Sequence, residues 1–351
     1  MDTRICRLHA AHDLRVETQP VPELAPDEVQ VAIGAGGICG SDLHYYHDGG
    51  IGQIRVREPI IVGHEAAGRV VGTGAEVTGL AEGDLVAINP SLPCGTCSFC
   101  ERGEFNHCVN MRFMGSAYRM PHEQGMFRDI VNVPAIRAHK FTNPIPVQKA
   151  ACSEPLAVCL HAASHATDMT GARILVTGAG PIGSLMTAVA AKENPAELVV
   201  TDLNDFPLSA AREMGASETA NVAQNPKQLD RFRENKGGFD IVFECTGAAL
   251  AIRDALEMLR PGGTMILVGV AGDITLALNV IVSKEIRMVG THRFHPEFAE
   301  AVRLIDSGEI DVSPVVSHSF SVDEAVTAFD LAGDRTQAIK VHLTFDEGQT
   351  A

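Results

Sequence analysis

The stretch from Arg173 to Asp202 constrains the fold more than any other part of the chain. Arg173-Ile174-Leu175-Val176-Thr177 is a short apolar run with the length of a buried strand. Gly178-Ala179-Gly180-Pro181-Ile182-Gly183 follows, and then small residues with helical composition as far as Ala191. Leu198-Val199-Val200-Thr201 reads as a second strand and ends on Asp202, 19 residues after Gly183. A lone GxGxxG motif is weak. Strand, glycine loop, helix and a second strand closed by an acid together form a dinucleotide-binding fingerprint. Gly178 and Gly180 permit the tight turn and the close approach of a pyrophosphate, and Gly183 permits close packing of helix on strand. Pro181 and Ile182 open the helix, whose N-terminus faces the phosphates. Asp202 is placed to accept hydrogen bonds from the adenosine ribose and to repel a 2′-phosphate. Asp205 adds to that repulsion and no Lys or Arg follows before Arg212, so NAD is expected rather than NADP.

The alternation continues. Phe239 to Glu244 reads as a strand, Ala248 to Leu259 as a helix, Pro261-Gly262-Gly263 as a turn, and Thr264 to Gly269 as another strand. Strands and helices by turns imply a doubly wound parallel sheet covered on both faces. The cofactor is expected at the carboxyl ends of its strands, near Thr246 and Gly269.

The first 150 residues read differently. Val29 to Ile33 and Leu85 to Ile88 are short strands, and Pro20, Pro22 and Pro26 punctuate the chain, as in a small irregular β-barrel or sandwich. A chain of 351 residues is long enough for two such cores. The formal net charge of −16 argues against a nucleic-acid partner. No apolar run approaches the roughly 20 residues of a membrane span, and the first residues do not read as a signal peptide. A cytoplasmic protein is expected.

Four of the nine cysteines cluster as Cys94-x-x-Cys97-x-x-Cys100-x7-Cys108. Four soft ligands on one compact lobe match a closed, structural zinc site. An iron–sulfur cluster is the alternative, but the surrounding chain does not read as a ferredoxin. A fifth cysteine, Cys39, stands in Gly37-Ile38-Cys39-Gly40-Ser41-Asp42-Leu43-His44-Tyr45, read as one short loop. A thiolate there suits zinc, and Ser41 and His44 stand close enough to move a proton from what the metal activates. The plainer reading is a buried turn with an inert cysteine. Gly63-His64-Glu65, after the apolar Pro59 to Val62, offers a second half-site. Glu154, fixed before Pro155, is placed to reach a cleft between the domains. His161 and His165, one helical turn apart, could share a metal or simply pack. Ala301 to Gly308 and Val322 to Leu331 read as amphipathic helices, and Ala338 to Leu343 as a last strand that could rejoin the first domain.

These pieces, in this order, resemble the zinc-dependent medium-chain dehydrogenases across essentially the whole chain. The resemblance rests on Gly37 to His44, Gly63-His64-Glu65, the four-cysteine lobe, Glu154-Pro155-Leu156 and the Gly178 to Gly183 loop. It implies a GroES-like β-barrel catalytic domain over residues 1–150, a Rossmann NAD domain over 151–290, and a segment 291–351 returning to the first domain. Two zinc ions per chain are implied. One is structural, on Cys94, Cys97, Cys100 and Cys108. The other is catalytic, held by Cys39 and His64 with Glu65 and Glu154 bound directly or through water. A homotetramer is implied as well. Glu154 stands where alcohol dehydrogenases carry a cysteine, as in the sorbitol dehydrogenase branch, and Cys152 is near enough to be considered as a ligand. Pro207 stands where that branch has an arginine, which removes an adenine-side contact. Closer likeness to dehydrogenases of sugar acids rests on Gly36 to Tyr46, Ala87 to Ser91, Met111 to Ala117 and Arg293-Phe294. By analogy Tyr45, Arg112, Phe113 and Arg293 line the substrate pocket; the polyol enzymes it resembles share the position of Arg293 but typically lack an arginine at that of Arg112, so Arg112 is expected to take the carboxylate of an acid. A surface salt bridge is the plainer reading of Arg112. The expected reaction is hydride transfer between a secondary hydroxyl of a sugar acid and NAD. Sorbitol, xylitol or L-threonine are the rival substrates, and a zinc- and NAD-binding redox sensor is the rival without catalysis.

Overall fold

The computed structural model describes residues 2–270 and 272–345. Arg173–Thr177 pairs in parallel with Glu197–Asp202 on one side and with Phe239–Glu244 on the other. Six strands make one parallel sheet, in the order Glu218–Asn221, Glu197–Asp202, Arg173–Thr177, Phe239–Glu244, Leu259–Leu267, Arg287–Gly290. Successive strands run outward from Arg173–Thr177 in both directions. The crevice between that strand and Phe239–Glu244 is therefore the topological switch point. Side chains of neighbouring residues go to opposite faces. Ile174 and Val176 pack with Leu185, Met186 and Val189 of the helix Pro181–Lys192. Leu175 packs with Ile252, Ala255 and Leu256 of the helix Ala249–Met258. Both faces are buried, which is why these strands are unbroken apolar runs.

The barrel is organised on Glu28–Gly37. It pairs antiparallel with Ile130–Pro134, Glu65–Thr73 and Lys340–Thr344. Val29, Val31 and Ile33 point to a core shared with Val70, Val86, Ile88 and Phe127. On the other face Ala35, Ala67 and Ala87 pack against Cys152, Leu156 and Ala157, in the same cluster as Ile174 and Val176. Small residues on this face let the two sheets' layers approach, and the site lies along that junction.

Three details differ from expectation. Cys39 to Tyr45 is no loop: Gly40–Asp48 is a helix with Cys39 at its N-cap. The Asp42 carboxylate accepts the Cys39 N–H at 3.0 Å, which satisfies a donor that a loop would leave to water. Pro261-Gly262-Gly263 lies inside the strand Leu259–Leu267. The ladder advances from Leu259 to Thr264 while its partner advances only from Phe239 to Ile241, so these residues bulge outward. The helix expected from Ala301 begins at Glu297. Among the described residues no helix is long and apolar enough to cross a membrane.

Candidate active site

Cys39, His64 and Glu65 come together. One ligand atom from each lies within 4.8 Å of the others. Three local devices place them. Cys39 is fixed by its N-cap, and His64 follows Gly63, whose φ of 91° only glycine adopts freely and whose Cβ would overlap the Phe127 ring. Glu65 opens the strand Glu65–Thr73 beside Gly37, where a Cβ would meet Glu65 Oε2 at 2.2 Å. Glu65 is 1% exposed. Lys340 Nζ donates to its Oε1 at 2.7 Å and to the Ile38 carbonyl at 3.1 Å. Oε2 is buried too; it accepts no well-aligned hydrogen bond among the described residues, but the same ammonium lies 2.7 Å from it.

Asp42 supports this group from behind. It is fully buried, accepts the Gly63 N–H at 3.3 Å, and its Oδ1 lies 3.7 Å from His64 Nδ1. Burial opposes charge on His64, but Asp42, Cys39 and Glu154 hold its pKa well above the ordinary value. The pocket is thus built for a cation. Sulfur, nitrogen and a carboxylate oxygen on one buried spot suit zinc. Asp42 stands behind the histidine as a buried carboxylate whose charge favours a cation there.

Glu154 lies in the first turn of the helix Ser153–Ser164 and is 6% exposed. It stands outside the three-ligand group but close enough to interact with His64 and Glu65. Burial raises its pKa to about 7, with His64 lowering it and Glu65 raising it. Cys152 is fully buried, bonded to the Gln148 carbonyl at 3.5 Å, and pushed up to about 12 by burial. It lies outside the three-ligand group too. Ser41 and His44 sit at i and i+3 of the helix Gly40–Asp48, and His44 Nδ1 turns to Asp48 at 3.1 Å.

Phe113 carries the site outward. Its ring centroid is 5.5 Å from that of His64, and the Arg293 guanidinium lies over the same ring, 5.0 Å from its centroid. Tyr45 is buried, and its hydroxyl accepts the Ala117 N–H at 3.2 Å. Arg293 has no carboxylate at ion-pair distance among the described residues. Burial lowers its pKa, and Tyr118, Tyr45 and Glu154 are among the groups whose charge acts on it. Arg112 is different. It is paired with both oxygens of Glu123, at 2.7 and 3.2 Å, on an exposed side chain. The ion pair with Glu123 takes one hydrogen on Nε and one on Nη2, as in the plainer reading of Arg112 as a surface salt bridge.

Cys94, Cys97, Cys100 and Cys108 also converge. Cys97 Sγ is 3.5 Å from Cys100 Sγ and 3.9 Å from Cys108 Sγ. A zinc–sulfur bond of about 2.3 Å gives a tetrahedron edge of about 3.8 Å, which these distances bracket. Backbone and hydroxyl donors at Thr96 push Cys94 down to about 5, whereas burial and two adjacent sulfurs push Cys100 up to about 12. Four cysteines at this spacing would hold a zinc ion as thiolates. His161 and His165 join no three-ligand group among the described residues; their rings stack edge to face at 4.9 Å.

The glycine loop leaves room for a dinucleotide. A Cβ on Gly180 would meet nothing within 4 Å, while one on Gly183 would strike the Gly178 carbonyl at 1.7 Å. Pro181 is the first residue of the helix, with Ile182 behind it. Asp202 accepts the Ala179 N–H at 2.8 Å and the Asn204 N–H at 2.9 Å, which fixes it beside the loop. Across the crevice Thr246 donates through backbone and hydroxyl to Glu244, and the Gly247 N–H does likewise. Gly269 lies against the Gly247 backbone, where a Cβ would come within 2.2 Å.

Residues 25–144 match the alcohol dehydrogenase GroES-like domain, and residues 181–307 match the zinc-binding dehydrogenase domain. The chain is 38% identical over 318 residues to L-idonate 5-dehydrogenase (NAD(P)(+)) of Escherichia coli K12, covering 90% of this chain and 91% of that one. The chain belongs to the zinc-binding medium-chain dehydrogenases. It is 34% identical to sorbitol dehydrogenase of Gallus gallus over 97% of this chain and 95% of that one. The crystal structure of the Escherichia coli L-idonate 5-dehydrogenase superposes with a TM-score of 0.94 at 36% identity, over 98% of this chain and 99% of that chain. This dehydrogenase is therefore an NAD(P)-linked enzyme of the polyol and sugar group, and a sensor without catalysis is set aside.

Sequence reading missed three of its supporting residues. Asp42 was quoted without a role, although its place three residues after Cys39 is a capping-box position. Lys340 stood in an apolar strand, and a lysine at such a place is itself a signal. Glu244, fully buried at the end of an apolar strand, carries the same kind of signal.

Proposed function

We propose that this dehydrogenase oxidises the C5 hydroxyl of L-idonate to the ketone of 5-keto-D-gluconate, with NAD as hydride acceptor. The observation that carries the reading is the likeness over nearly the whole chain to an L-idonate enzyme; beside it stands Arg293, a guanidinium over the Phe113 ring with no carboxylate at ion-pair distance among the described residues. That guanidinium can meet the oxygens of a sugar acid, as it can those of a polyol.

Cys39, His64 and Glu65 would hold a zinc ion, with Glu154 reaching it directly or through water. Zinc lowers the pKa of a bound hydroxyl, and the nicotinamide accepts the hydride. The chain's own residues do the rest. Arg293 holds the substrate carboxylate away from the buried acids, and Tyr45 and Phe113 close the pocket around the carbon chain. The hydroxyl proton leaves through water to Glu154, or along Ser41 and the cofactor ribose to His44. One proton is released for each hydride transferred. Asp202 holds the adenosine ribose and disfavours a 2′-phosphate. The lobe cysteines would hold a second, closed zinc site. We also propose the division 1–150, 151–290 and 291–351, a cytoplasmic location and a homotetramer.

The test is NAD reduction with L-idonate beside sorbitol, xylitol and L-threonine, on protein whose zinc has been counted. Preference for L-idonate with two zincs per chain supports the reading. Preference for a neutral polyol removes the L-idonate assignment and leaves the hydride chemistry standing.

A further inference from the structure

A carboxylate lies beneath the dinucleotide crevice with its hydrogen bonds turned inward. Glu244 closes the strand Phe239–Glu244 at the topological switch point and is fully buried. A dinucleotide brings its own negative charge to this crevice, and a buried acid below it is costly unless its charge is met by donors.

The donors are there. Glu244 Oε1 accepts the Thr177 hydroxyl at 3.2 Å, the Thr246 N–H at 2.9 Å and the Thr246 hydroxyl. The Gly247 N–H reaches both oxygens, at 3.2 and 3.1 Å. Backbone N–H groups can only donate. The Thr246 hydroxyl oxygen accepts the Ala248 N–H at 2.9 Å, which leaves its proton for the carboxylate. The Glu244 carbonyl, in turn, accepts the N–H groups of Val268 and Gly269, each at 2.8 Å. One residue thus ties together the end of Arg173–Thr177 that leads into the glycine loop, the turn Thr246-Gly247, and the end of Leu259–Leu267.

These segments also interlock sterically. Gly178 has φ of 84°, and a Cβ there would meet Thr246 Cγ2 at 2.8 Å. Gly247 has φ of 67°, and a Cβ on Gly269 would collide with its nitrogen. The Thr246 side chain is held at its hydroxyl, so its methyl group sets how near Gly178 can come. Successive N–H groups in such a turn are able to cradle an anion from above. Here Glu244 takes those of Thr246 and Gly247 from below.

We propose that Glu244 is a positioning residue for the dinucleotide: its buried carboxylate holds the three segments of the crevice floor in the arrangement that the cofactor needs before the cofactor binds. Affinity gains because less has to be ordered on binding. The inference needs only that the chain is an NAD(P)-linked dehydrogenase, whatever its substrate.

Lys284 separates this role from a merely structural one. Its ammonium donates to the carbonyls of Leu256, Glu257 and Leu259 at 3.1, 2.8 and 2.9 Å. It is buried in the same sheet domain, but where Leu259–Leu267 begins, at the end of the strands away from the crevice. Removing it costs stability and leaves the crevice floor alone.

The experiment titrates NADH into the zinc-loaded enzyme without substrate, read by nicotinamide fluorescence, beside the melting temperature of the cofactor-free protein. Glu244→Ala is expected to weaken NADH binding about tenfold. Glu244→Gln keeps an oxygen for the donors around Oε1 and is expected to recover most of that loss. Thr177 is buried, and Thr177→Val removes one donor from Glu244. It is expected to weaken binding about threefold, and it decides the matter should Glu244→Ala fail to fold. Lys284→Met is expected to lower the melting temperature while the Kd for NADH stays within about twofold. The inference is overturned if the folded Glu244 and Thr177 variants bind NADH as the parent does. It is equally overturned if Lys284→Met weakens binding as much as they do, since affinity then follows stability alone.

Discussion

The two cysteine-bearing centres are built in opposite ways. The lobe takes all four ligands from Cys94 to Cys108, on short turns near the surface, and its sulfurs already stand at tetrahedral spacing. The other centre takes Cys39 from a helix cap and His64 and Glu65 from the start of a strand, and Glu65 is balanced by Lys340, 275 residues further along. A closed site needs only that four ligands be near one another. An open site must keep one position free, so its ligands are held by the fold and not by each other. The charge surroundings follow the same division. The lobe is solvated at two of its cysteines. The open centre is buried among Asp42, Glu65 and Glu154, with Lys340 neutralising one of them.

The largest expected effect separates the two centres directly. His64→Ala should lower turnover by more than about 100-fold, beyond the usual cost of an outer-shell change. Zinc content should fall by one per chain with the lobe still loaded; loss of both ions would show that the centres are not independent. Next comes Asp42→Ala, which removes the carboxylate behind His64 and should cost roughly 10- to 100-fold in activity or zinc affinity. An unchanged zinc affinity and rate would remove Asp42 from the site.

Lys340→Met tests the long-range half of the comparison. It leaves Glu65 as a buried, unpaired charge, and the expected loss is about 3–5 kcal/mol in urea unfolding of the metal-free protein. A loss no larger than that of an exposed ion pair would mean that Glu65 finds another partner. Cys97→Ser should do the reverse of His64→Ala. The melting temperature drops and lobe zinc is lost, while turnover of the folded fraction stays within about tenfold.

The smallest effect concerns the junction between the lobe and the substrate loop. Burial alone would raise the Glu297 pKa, but the bonds from His161 and the His295 N–H bring it from 4.5 to about 2. A pKa lower in the folded state means that the charged form stabilises the fold. That contribution is complete above 4.5 and disappears as pH falls toward 2. Glu297→Gln has no such proton to bind, so its stability should decline less steeply over this window. Parallel slopes in acid unfolding of the two proteins would contradict the environment described for Glu297.

The local sequence carried the parallel sheet and the lobe because each rests on short-range rules. Ile174, Leu175 and Val176 are apolar on both faces, the glycines of the loop answer to steric limits at named atoms, and the cysteine spacing is itself the ligand geometry. Chain order and residue type also pointed to Cys39, His64 and Glu65 as ligands, since sulfur, imidazole and carboxylate beside glycines have few other uses. What those residues meet was decided only by tertiary structure. Arg112 and Arg293 look alike in sequence, and only packing gives Glu123 to one and leaves the other over Phe113. Lys340 reaches Glu65 because the last strand lies against Glu28–Gly37, and Asn106 reaches His161 and the Arg293 loop because three distant segments meet. Charges and hydrogen bonds act over a few ångströms in space, whatever the separation along the chain, so their partners are fixed only once the chain has folded.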